Sequence, residues 1–196
     1  MFATLSNFLN KIVPLQGEDF ETLIKRVEVR NFEKKEKLTV IGDTEQYINF
    51  VFKGLVRIFF LKEKQEIITH IVNEGGIVSL STSFFTSAPS KYIVETLEPT
   101  TLLSISKQNL EELFSMGNQW EKVGRSIVTN YFLVQEQRLM DNIRFSTLER
   151  FMKFMTENPD LLLRVPQKYL ASYLNIKPET FSRMKKLTKK HRSLIQ

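Results

Sequence analysis

The sequence predicts an α+β protein in which a β-rich segment is followed by a long helix and a compact pair of short helices. Three patterns support this class: a two-residue hydrophobic period from Leu38 to Ser106, a helical period from about Asn118 to Asn142, and the spacing of two packed helices from Gln167 to Lys186. With 196 residues, of which 42% are hydrophobic, the chain can bury one substantial core and a smaller one. We therefore expect two domains.

Two short helices are predicted between Thr4 and about Val27. Their apolar residues recur at the three- and four-residue intervals of a helix face. These residues are Leu5, Phe8 and Leu9 in the first helix and Phe20, Leu23 and Ile24 in the second. Glu18 and Asp19 suit the first turn of the second helix, because acidic side chains there interact favourably with the helix dipole.

The segment from Leu38 to Ser106 alternates apolar and polar residues as strands do. Strands are predicted at Leu38 to Ile41, Tyr47 to Phe52, Leu55 to Leu61, Ile67 to Val72, Tyr92 to Leu97 and Thr101 to Ile105. The turn residues between them include Gly42, Gly54, Gly75, Gly76 and Pro99. Glycine supplies a positive φ and proline a fixed φ, which tight reversals require. Short strands joined by tight turns indicate a sandwich or a roll.

A hydroxyl-rich stretch interrupts this regularity after Val78, where the residues to Ser90 read SLSTSFFTSAPS. The stretch is too short to form a domain. We interpret it as a candidate pocket loop, and the alternative is an ordinary solvated loop.

The helix predicted from about Asn118 to Asn142 has two apolar stripes. One stripe contains Trp120, Val123, Ile127, Tyr131 and Val134, and the other contains Val128, Phe132, Leu139 and Ile143. A helix that is apolar on two sides needs two partners, and the simplest second partner is the same helix of another subunit. We assign the first stripe to a dimer interface. The alternative is that both stripes face a larger core within the chain.

A further helix is predicted to begin at Ser146. Ser146 and Glu149 have the spacing of a capping box, in which each side chain bonds a free backbone N–H of the first turn. The linker from Asn142 to Phe145 is then a candidate hinge between the long helix and the C-terminal helices.

The segment from Gln167 to Lys186 has the pattern of a helix-turn-helix, a motif that reads DNA with its second helix. The apolar positions between the two helices are filled by Leu170, Leu174, Ile176, Phe181 and Met184. Ala171 is small where the helices cross, Asn175 tolerates a left-handed turn, and Pro178 suits a first helical turn. A generic amphipathic hairpin, which is the alternative, needs none of these three residues.

The excess positive charge lies at the C-terminal end of the chain. From Arg164 to Gln196 nine basic residues stand against one acid, Glu179, whereas the whole chain has a formal charge of +6. The residues before Arg164 are therefore net acidic. This asymmetry is the electrostatic footprint of a nucleic-acid-binding segment.

The composition excludes several other classes. The chain has no cysteine and only two histidines, His70 and His191, so thiolate metal sites, disulfides and a clustered histidine metal site are not expected. No Walker loop, HExxH pattern or Ser, His and Asp grouping points to an enzyme. The N-terminus resembles no signal peptide and no stretch is long and apolar enough to span a bilayer, so we expect a cytoplasmic protein without a membrane partner.

In order, these elements resemble the Crp/Fnr family of bacterial transcription regulators. The resemblance rests most specifically on Gln167 to Lys186. It rests less specifically on the glycine turns at Gly42, Gly54, Gly75 and Gly76 and on the segment YIVETLEPTTLLSIS that ends at Ser106. It implies a cyclic-nucleotide-binding-like β-roll, a long dimerisation helix and a C-terminal helix-turn-helix. With so few residues left after the second helix, we expect little or no β-wing. The implied domains are residues 1–117, 118–144 and 145–196.

The resemblance also implies an effector site, but with a changed residue set. Members of the family that bind cyclic AMP hold its ribose with a Glu and its phosphate with an Arg followed by Ser or Thr; here Leu80, Ser90 and Lys91 stand nearest those places. A lysine replaces a bidentate guanidinium only in part, so cyclic AMP binding of the usual kind is not expected. Another small molecule could bind there, or the roll could be a scaffold. The candidate pocket residues are Ser79, Leu80, Ser81, Ser83, Ser90 and Lys91.

Family geometry inserts the second helix of the motif into the major groove by its N-terminal half. The base-reading candidates are Lys177, Glu179, Thr180 and Arg183. The phosphate-contact candidates are Gln167, Lys168, Ser182, Lys185, Lys186, Lys189, Lys190 and Arg192. The expected function is that of a homodimeric regulator that binds double-stranded DNA and, if it is an activator, RNA polymerase. The alternative is a small-molecule-binding regulatory module that has a basic tail and binds no DNA.

Overall fold

The computed structural model describes residues 1–15 and 17–192, and the side chains of residues 188–192 fall outside this description. The helices are α1 (Phe2–Asn10), α2 (Gly17–Ile24), α3 (Ser81–Thr86), α4 (Lys107–Ser115), α5 (Asn118–Arg144), α6 (Thr147–Glu157), α7 (Leu161–Arg164), α8 (Gln167–Tyr173) and α9 (Pro178–Arg192). The strands are β1 (Val27–Phe32), β2 (Lys37–Thr39), β3 (Tyr47–Lys53), β4 (Val56–Lys62), β5 (Gln65–Val72), β6 (Ile77–Val78), β7 (Ile93–Thr96) and β8 (Thr100–Ser106).

The strands form two four-stranded sheets. We call the sheet with the order β1-β8-β3-β6 the first sheet and the sheet with the order β2-β7-β4-β5 the second sheet. In the first sheet, the antiparallel pairing of β3 with β8 sets Phe50 opposite Leu103 and Val51 opposite Leu102. Because successive side chains of a strand point to opposite faces, this register makes both faces of the first sheet apolar.

Each face of the first sheet borders its own hydrophobic core. The inner core lies between the two sheets and includes Val51 and Leu102 from the first sheet and Val56 and Val94 from the second. The outer core lies on the other face, where α1, α4 and α5 cover the sheet. Its buried residues are Leu5, Leu9, Leu15, Phe50, Leu103, Leu113 and Trp120. The α+β class with antiparallel sheets and a long helix is thereby confirmed.

Several elements differ from the sequence-based expectation. Strands β1 and β6 and helices α3, α4 and α7 were not predicted. β6 has only two residues, too few to show a period, and β1 begins at Val27, where the helical pattern was expected to end. The hydroxyl-rich stretch after Val78 is partly helical, since α3 lies within it.

The chain divides into two compact units. Unit 1 comprises residues 1–60 and 70–133, and unit 2 comprises residues 61–69 and 134–196, including the tip of the β4–β5 hairpin. Unit 1 contains both cores described above. The expected division into residues 1–117, 118–144 and 145–196 stays a prediction, because compactness alone does not define functional domains.

Unit 2 has a small aromatic core of its own. The rings of Phe151 and Phe181 meet edge to face with centroids 5.2 Å apart, and both residues are fully buried. Ser172 of α8 accepts a hydrogen bond from the backbone N–H of Ile68 at 2.9 Å. Arg138 of α5 donates to the carbonyl oxygen of Thr69 at 2.7 Å. Aromatic packing and side-chain bonds to the hairpin backbone therefore hold this unit together.

The junction between α5 and α6 is shorter than the expected hinge. α5 continues to Arg144, so only Phe145 and the cap residue Ser146 separate the helices. The predicted capping box is confirmed, since Ser146 and Glu149 exchange both hydrogen bonds. Lys153 also forms an ion pair with Asp141 across the junction, and this lowers the pKa of Asp141 and raises the pKa of Lys153.

Gly54, in the turn between β3 and β4, packs closely against the turn between β7 and β8, and this contact can be tested. Gly54 has φ +105°, and a Cβ there would lie 2.7 Å from Thr100 Cα and 2.8 Å from the Pro99 carbonyl oxygen. Gly54→Ala is expected to lower the free energy of unfolding by at least about 3 kcal/mol, because backbone strain and a backbone clash add together. Urea denaturation measures this loss.

Gly42→Ala is the matched control, since Gly42 has φ +94° but nothing within 4 Å of the added Cβ. Strain alone should cost about 1–2 kcal/mol there. Equal losses in the two variants would show that the clash at Gly54 does not exist.

Candidate nucleic-acid interface and ligand sites

The turn between α8 and α9 is closed by its own backbone. Asn175 has φ +56°, so the prediction of a left-handed residue at this position is confirmed. The N–H of Asn175 donates to the Ser172 carbonyl at 3.0 Å, and the N–H of Ile176 donates to the Ala171 carbonyl at 2.9 Å. These two bonds reverse the chain so that α9 starts at Pro178, as predicted.

The two helices meet through fully buried side chains. Leu170, Ala171 and Phe181 have no exposed surface, whereas Leu174, Ile176 and Met184 are half-buried. A larger side chain at Ala171 would have no room, because interiors are close-packed. The apolar residues predicted to lie between the two helices thus fix the angle at which α9 leaves the turn.

Polar and charged residues lie along the opposite side of α9. Glu179, Arg183 and Lys186 follow one another at four- and three-residue intervals, and all three are exposed. Among the described residues, none forms an ion pair with Arg183, so its guanidinium is available to a ligand. Lys177 is exposed just before the helix, and Thr180 is half-buried.

The phosphate-contact candidates are distributed over both helices. Gln167, Lys168 and Lys186 are exposed, and Ser182 and Lys185 are half-buried. The Lys168 ammonium lies 4.9 Å from the centre of the Tyr169 ring, a cation–π contact that holds it near α8. The side chains of Lys189, Lys190 and Arg192 lie outside the described residues.

The apolar residues of α5 are divided differently from the expectation. Trp120 is only 3% exposed and, with Val123 and Ile127, packs in the outer core of unit 1. These three residues therefore have a partner within the chain, the outer face of the first sheet, and the assignment of the set to a dimer interface stays a prediction. Of the predicted set, Tyr131 and Val134 remain exposed.

An exposed apolar stripe does run along α5, and it is the second of the two stripes in the sequence. Its members and their exposed fractions are Val128 (51%), Phe132 (62%), Leu139 (57%) and Ile143 (70%). Contiguous exposed apolar surface, when it is large, is typical of interaction sites.

Several of the residues proposed for an effector pocket bond nearby backbone groups or pack in a core. Ser83 donates to the Ala88 carbonyl at 2.6 Å, and the Ser90 hydroxyl bonds the backbone of Tyr92 at 2.8 Å. Leu80 is part of the inner core, and Ser81 is half-buried. Lys91 is exposed. The buried Ser79 hydroxyl has no hydrogen-bond partner among the described residues.

A buried carboxylate lies beside this loop. Glu45 accepts a hydrogen bond from the Thr39 hydroxyl at 3.0 Å and from the N–H groups of Gln46 and Tyr47 at 3.1 Å each. Burial raises the pKa of Glu45 above its usual 4.5, and these hydrogen bonds oppose the shift. The Glu45 N–H also donates to Ser83 at 2.9 Å, which ties the loop to β3.

The sequence analysis missed a cavity in unit 1. It has a volume of about 410 Å³ and lies between the outer face of the first sheet and helices α1, α4 and α5. Phe8, Phe50, Phe114 and Trp120 line it, and Arg125 is at its edge. The sequence contained a signal for this site, since the apolar stripes of the first helix and of α5 both needed a partner.

The described residues contain neither a metal-binding cluster nor a membrane-spanning helix. Nowhere in the described residues do three or more His, Asp or Glu side chains gather in an arrangement that could hold a metal ion. Along the same residues, every helix is too short or too polar to cross a membrane.

Comparison with known proteins agrees with this architecture. Residues 29–116 match the cyclic nucleotide-binding domain family. A search of curated protein sequences finds no significant match.

Several solved structures are similar along most of the chain. FixK2 from Bradyrhizobium japonicum has a TM-score of 0.67 and 19% identity, with 85% of each chain covered. The c-di-GMP responsive global regulator CLP from Xanthomonas campestris has a TM-score of 0.62 and 19% identity, covering 87% of this chain and 91% of its own. The Thermus thermophilus catabolite activator protein has a TM-score of 0.58 and 17% identity, covering 94% and 87%.

The fold and these matches define a protein with a cyclic nucleotide-binding domain and a C-terminal helical extension. The resemblance to the Crp/Fnr family is confirmed at the level of the fold, and residues 29–116 are similar to the cyclic nucleotide-binding domain family.

The buried Glu45 predicts a pH dependence of stability. Folding raises the pKa of the Glu45 carboxyl, so protonation of this group stabilises the folded state. This contribution to the free energy of unfolding is fully present below the pKa of the unfolded chain, near 4.5, and is lost as pH rises through the pKa of the folded chain. Glu45→Gln removes this titration while keeping an acceptor for the backbone. The variant should therefore gain stability relative to the native chain as pH rises, by up to about 1.4 kcal/mol per pH unit.

Chemical denaturation at a series of pH values measures this difference. Glu111→Gln, at an exposed position of α4, is the control and should follow the native chain. A Glu45→Gln curve parallel to the native curve would mean that Glu45 titrates alike in the folded and unfolded states.

Proposed function

We propose that this chain is a homodimeric, sequence-specific DNA-binding transcription regulator of Crp/Fnr type, in which α8 and α9 form a helix-turn-helix. One observation carries the proposal: the closed turn and buried Phe181 orient α9 so that Arg183 is exposed and has no ion-pair partner among the described residues. The segment that contains it also has nine basic residues and one acid. A basic, rigidly held helix is suited to the major groove of DNA.

Arg183 is the principal base-reading residue in this proposal. A guanidinium can donate two hydrogen bonds to O6 and N7 of guanine, and Glu179 on the same side of α9 can accept from N4 of cytosine. Each such pair contributes about 1–3 kcal/mol of discrimination. Lys177 and Thr180, at the start of the helix, complete the candidate set. Pro178 has no N–H and contributes shape only.

Phosphate contacts supply affinity and register. Gln167 and Lys168 at the start of α8, and Ser182, Lys185 and Lys186 on α9, are assigned this role. Lys189, Lys190 and Arg192 are assigned to it by sequence alone.

The second copy of this chain is the proposed occupant of the exposed α5 stripe. Val128, Phe132, Leu139 and Ile143 follow one another at intervals of four, seven and four residues, as in the seam of a two-helix contact. An isologous dimer would bury this stripe and present two reading helices to one side of DNA. The two half-sites should then lie about 10–10.5 base pairs apart, or a near multiple.

The cyclic nucleotide-binding domain supports a small-molecule effector, although not cyclic AMP in the usual way. The loop from Ser79 to Lys91 contains no arginine for a cyclic phosphate. Arg57, a buried arginine on β4, does not replace it, because its guanidinium forms an ion pair with Glu95 at 2.8 Å. If the regulator is an activator, RNA polymerase is a further partner.

Arg183→Ala and Lys186→Ala should differ in their effects on DNA binding. After a preferred duplex has been selected from random DNA, Arg183→Ala should weaken binding to it by roughly tenfold or more and leave random DNA nearly unaffected. Lys186→Ala should weaken binding to the selected duplex and to random DNA by a similar factor. It should also reduce the slope of the logarithm of the binding constant against the logarithm of the salt concentration by about one. Fluorescence anisotropy over a range of salt concentrations measures both effects.

Lys34→Ala, at an exposed position between β1 and β2, is the matched control and should bind like the native chain. If Arg183→Ala loses affinity equally for selected and random duplexes, Arg183 does not read bases. If selection yields no preferred duplex, the chain is a regulatory module of another kind.

Phe132→Glu tests the proposed dimer. Burying an unpaired carboxylate in the centre of the α5 contact should raise the dimer dissociation constant by on the order of 30-fold or more. Sedimentation equilibrium measures it, with Asn130→Glu as the control at an exposed polar position of the same helix. Unchanged association in Phe132→Glu would exclude this stripe as the interface.

A further inference from the structure

We infer that unit 1 contains a binding site for an amphiphile with one hydrocarbon chain and an anionic head group, in the cavity between the outer face of the first sheet and helices α1, α4 and α5. The volume of about 410 Å³ lies in the range of small-molecule sites, roughly 300–1,000 Å³. Only two of the residues that line it, Glu121 and Arg125, carry a charge.

The walls favour hydrocarbon over water. Phe8 from α1, Phe50 from β3, Phe114 from α4 and Trp120 from α5 contribute rings, and Val123 closes the α5 side. Water in a cavity needs two to four polar partners, and of these side chains only Trp120 offers one, its indole N–H. An empty apolar cavity leaves the surrounding side chains without packing contacts, so an apolar occupant stabilises the unit.

The lining of the cavity extends across the whole first sheet. It contacts Val27 of β1, Leu103 of β8, Phe50 of β3 and Ile77 of β6, which are all four strands of the first sheet. Three spacings of about 4.8 Å between neighbouring strands give a width of about 14 Å. A chain-like molecule of this length can contact all four strands at once.

The charged residues are at the edge of the cavity on α5. Glu121, Arg125 and Val128 are exposed and lie one turn apart along the helix. Arg125 is the guanidinium among the lining residues, and it can donate two parallel hydrogen bonds to a carboxylate. Glu121 repels a carboxylate, so its removal should strengthen binding of the anionic head.

None of the candidate effector residues lines this cavity, although Phe85 of the same loop does. The loop residue Leu80 packs in the inner core, whereas the cavity borders the outer core on the other face of the first sheet. The inference does not depend on DNA binding, since all lining residues belong to unit 1.

Trp120 provides a direct measurement because it is the single tryptophan of the chain and lies in the cavity wall. The probe is dodecanoic acid brominated at its terminal carbon, since bromine quenches a tryptophan that it contacts. Titration of the full chain below the concentration at which the probe aggregates should quench Trp120 fluorescence saturably. Absence of quenching would overturn the inference. Quenching that appears only when the protein is diluted until dimers dissociate would also overturn it, because another copy of the chain then occupies the site.

Variants of α5 locate the bound molecule. Val123→Phe fills the cavity and should weaken probe binding by at least about tenfold. Lys122→Phe introduces the same ring at an exposed neighbouring position and should leave binding unchanged. Equal affinity in both variants would place the probe elsewhere and overturn the site.

Exposed-residue variants, which do not disturb the core, test the head group. Arg125→Gln should weaken binding of the brominated acid by about tenfold and leave the corresponding alcohol unaffected. Glu121→Gln should strengthen binding of the acid alone. If Arg125→Gln weakens binding of the acid and of the alcohol equally, the assignment of an anionic head group to this site is wrong.

Discussion

The first sheet is apolar on both faces, and the arrangement of unit 1 depends on covering both. Phe50 and Val51 are neighbours on β3, yet they belong to different cores because their side chains point to opposite faces. The second sheet covers one face, and α1, α4 and the first turns of α5 cover the other. Trp120 is buried in this way and fixes the start of the long helix. The stripe from Val128 to Ile143 is left exposed as a consequence.

A similar constraint operates at smaller scale in unit 2. Phe181 must be buried against Phe151, and this orients α9 about its own axis. Ala171 and the left-handed Asn175 allow the turn that brings α9 to this position. Residues on the opposite side of α9, among them Arg183, are exposed as a result. The residues that stabilise the helical pair are thus different from those proposed to contact DNA, so the proposed base-reading residues can vary without loss of the fold.

The sequence predicted features that depend on neighbouring residues and missed those that depend on distant ones. The capping box at Ser146, the turn at Asn175 and the length of α5 follow from local chemistry, and the structure agrees with them. The partner of the Trp120 stripe could not be deduced, because periodicity shows that a face is apolar and not what covers it. The cavity combines residues from Leu5 to Val128, and no local pattern encodes such a space. The hydroxyls of Ser83 and Ser90 suggested a ligand, but backbone groups nearby satisfy them.

The most direct test of the account is whether Arg183 donates to N7 of a guanine. The measurement compares the affinity of the native chain and of Arg183→Ala for a selected duplex and for duplexes in which a C–H group replaces N7 at single guanines. We expect one guanine in each half-site at which this replacement weakens the native chain by about tenfold and leaves Arg183→Ala unaffected. Equal weakening of both proteins at every guanine would contradict base reading by α9.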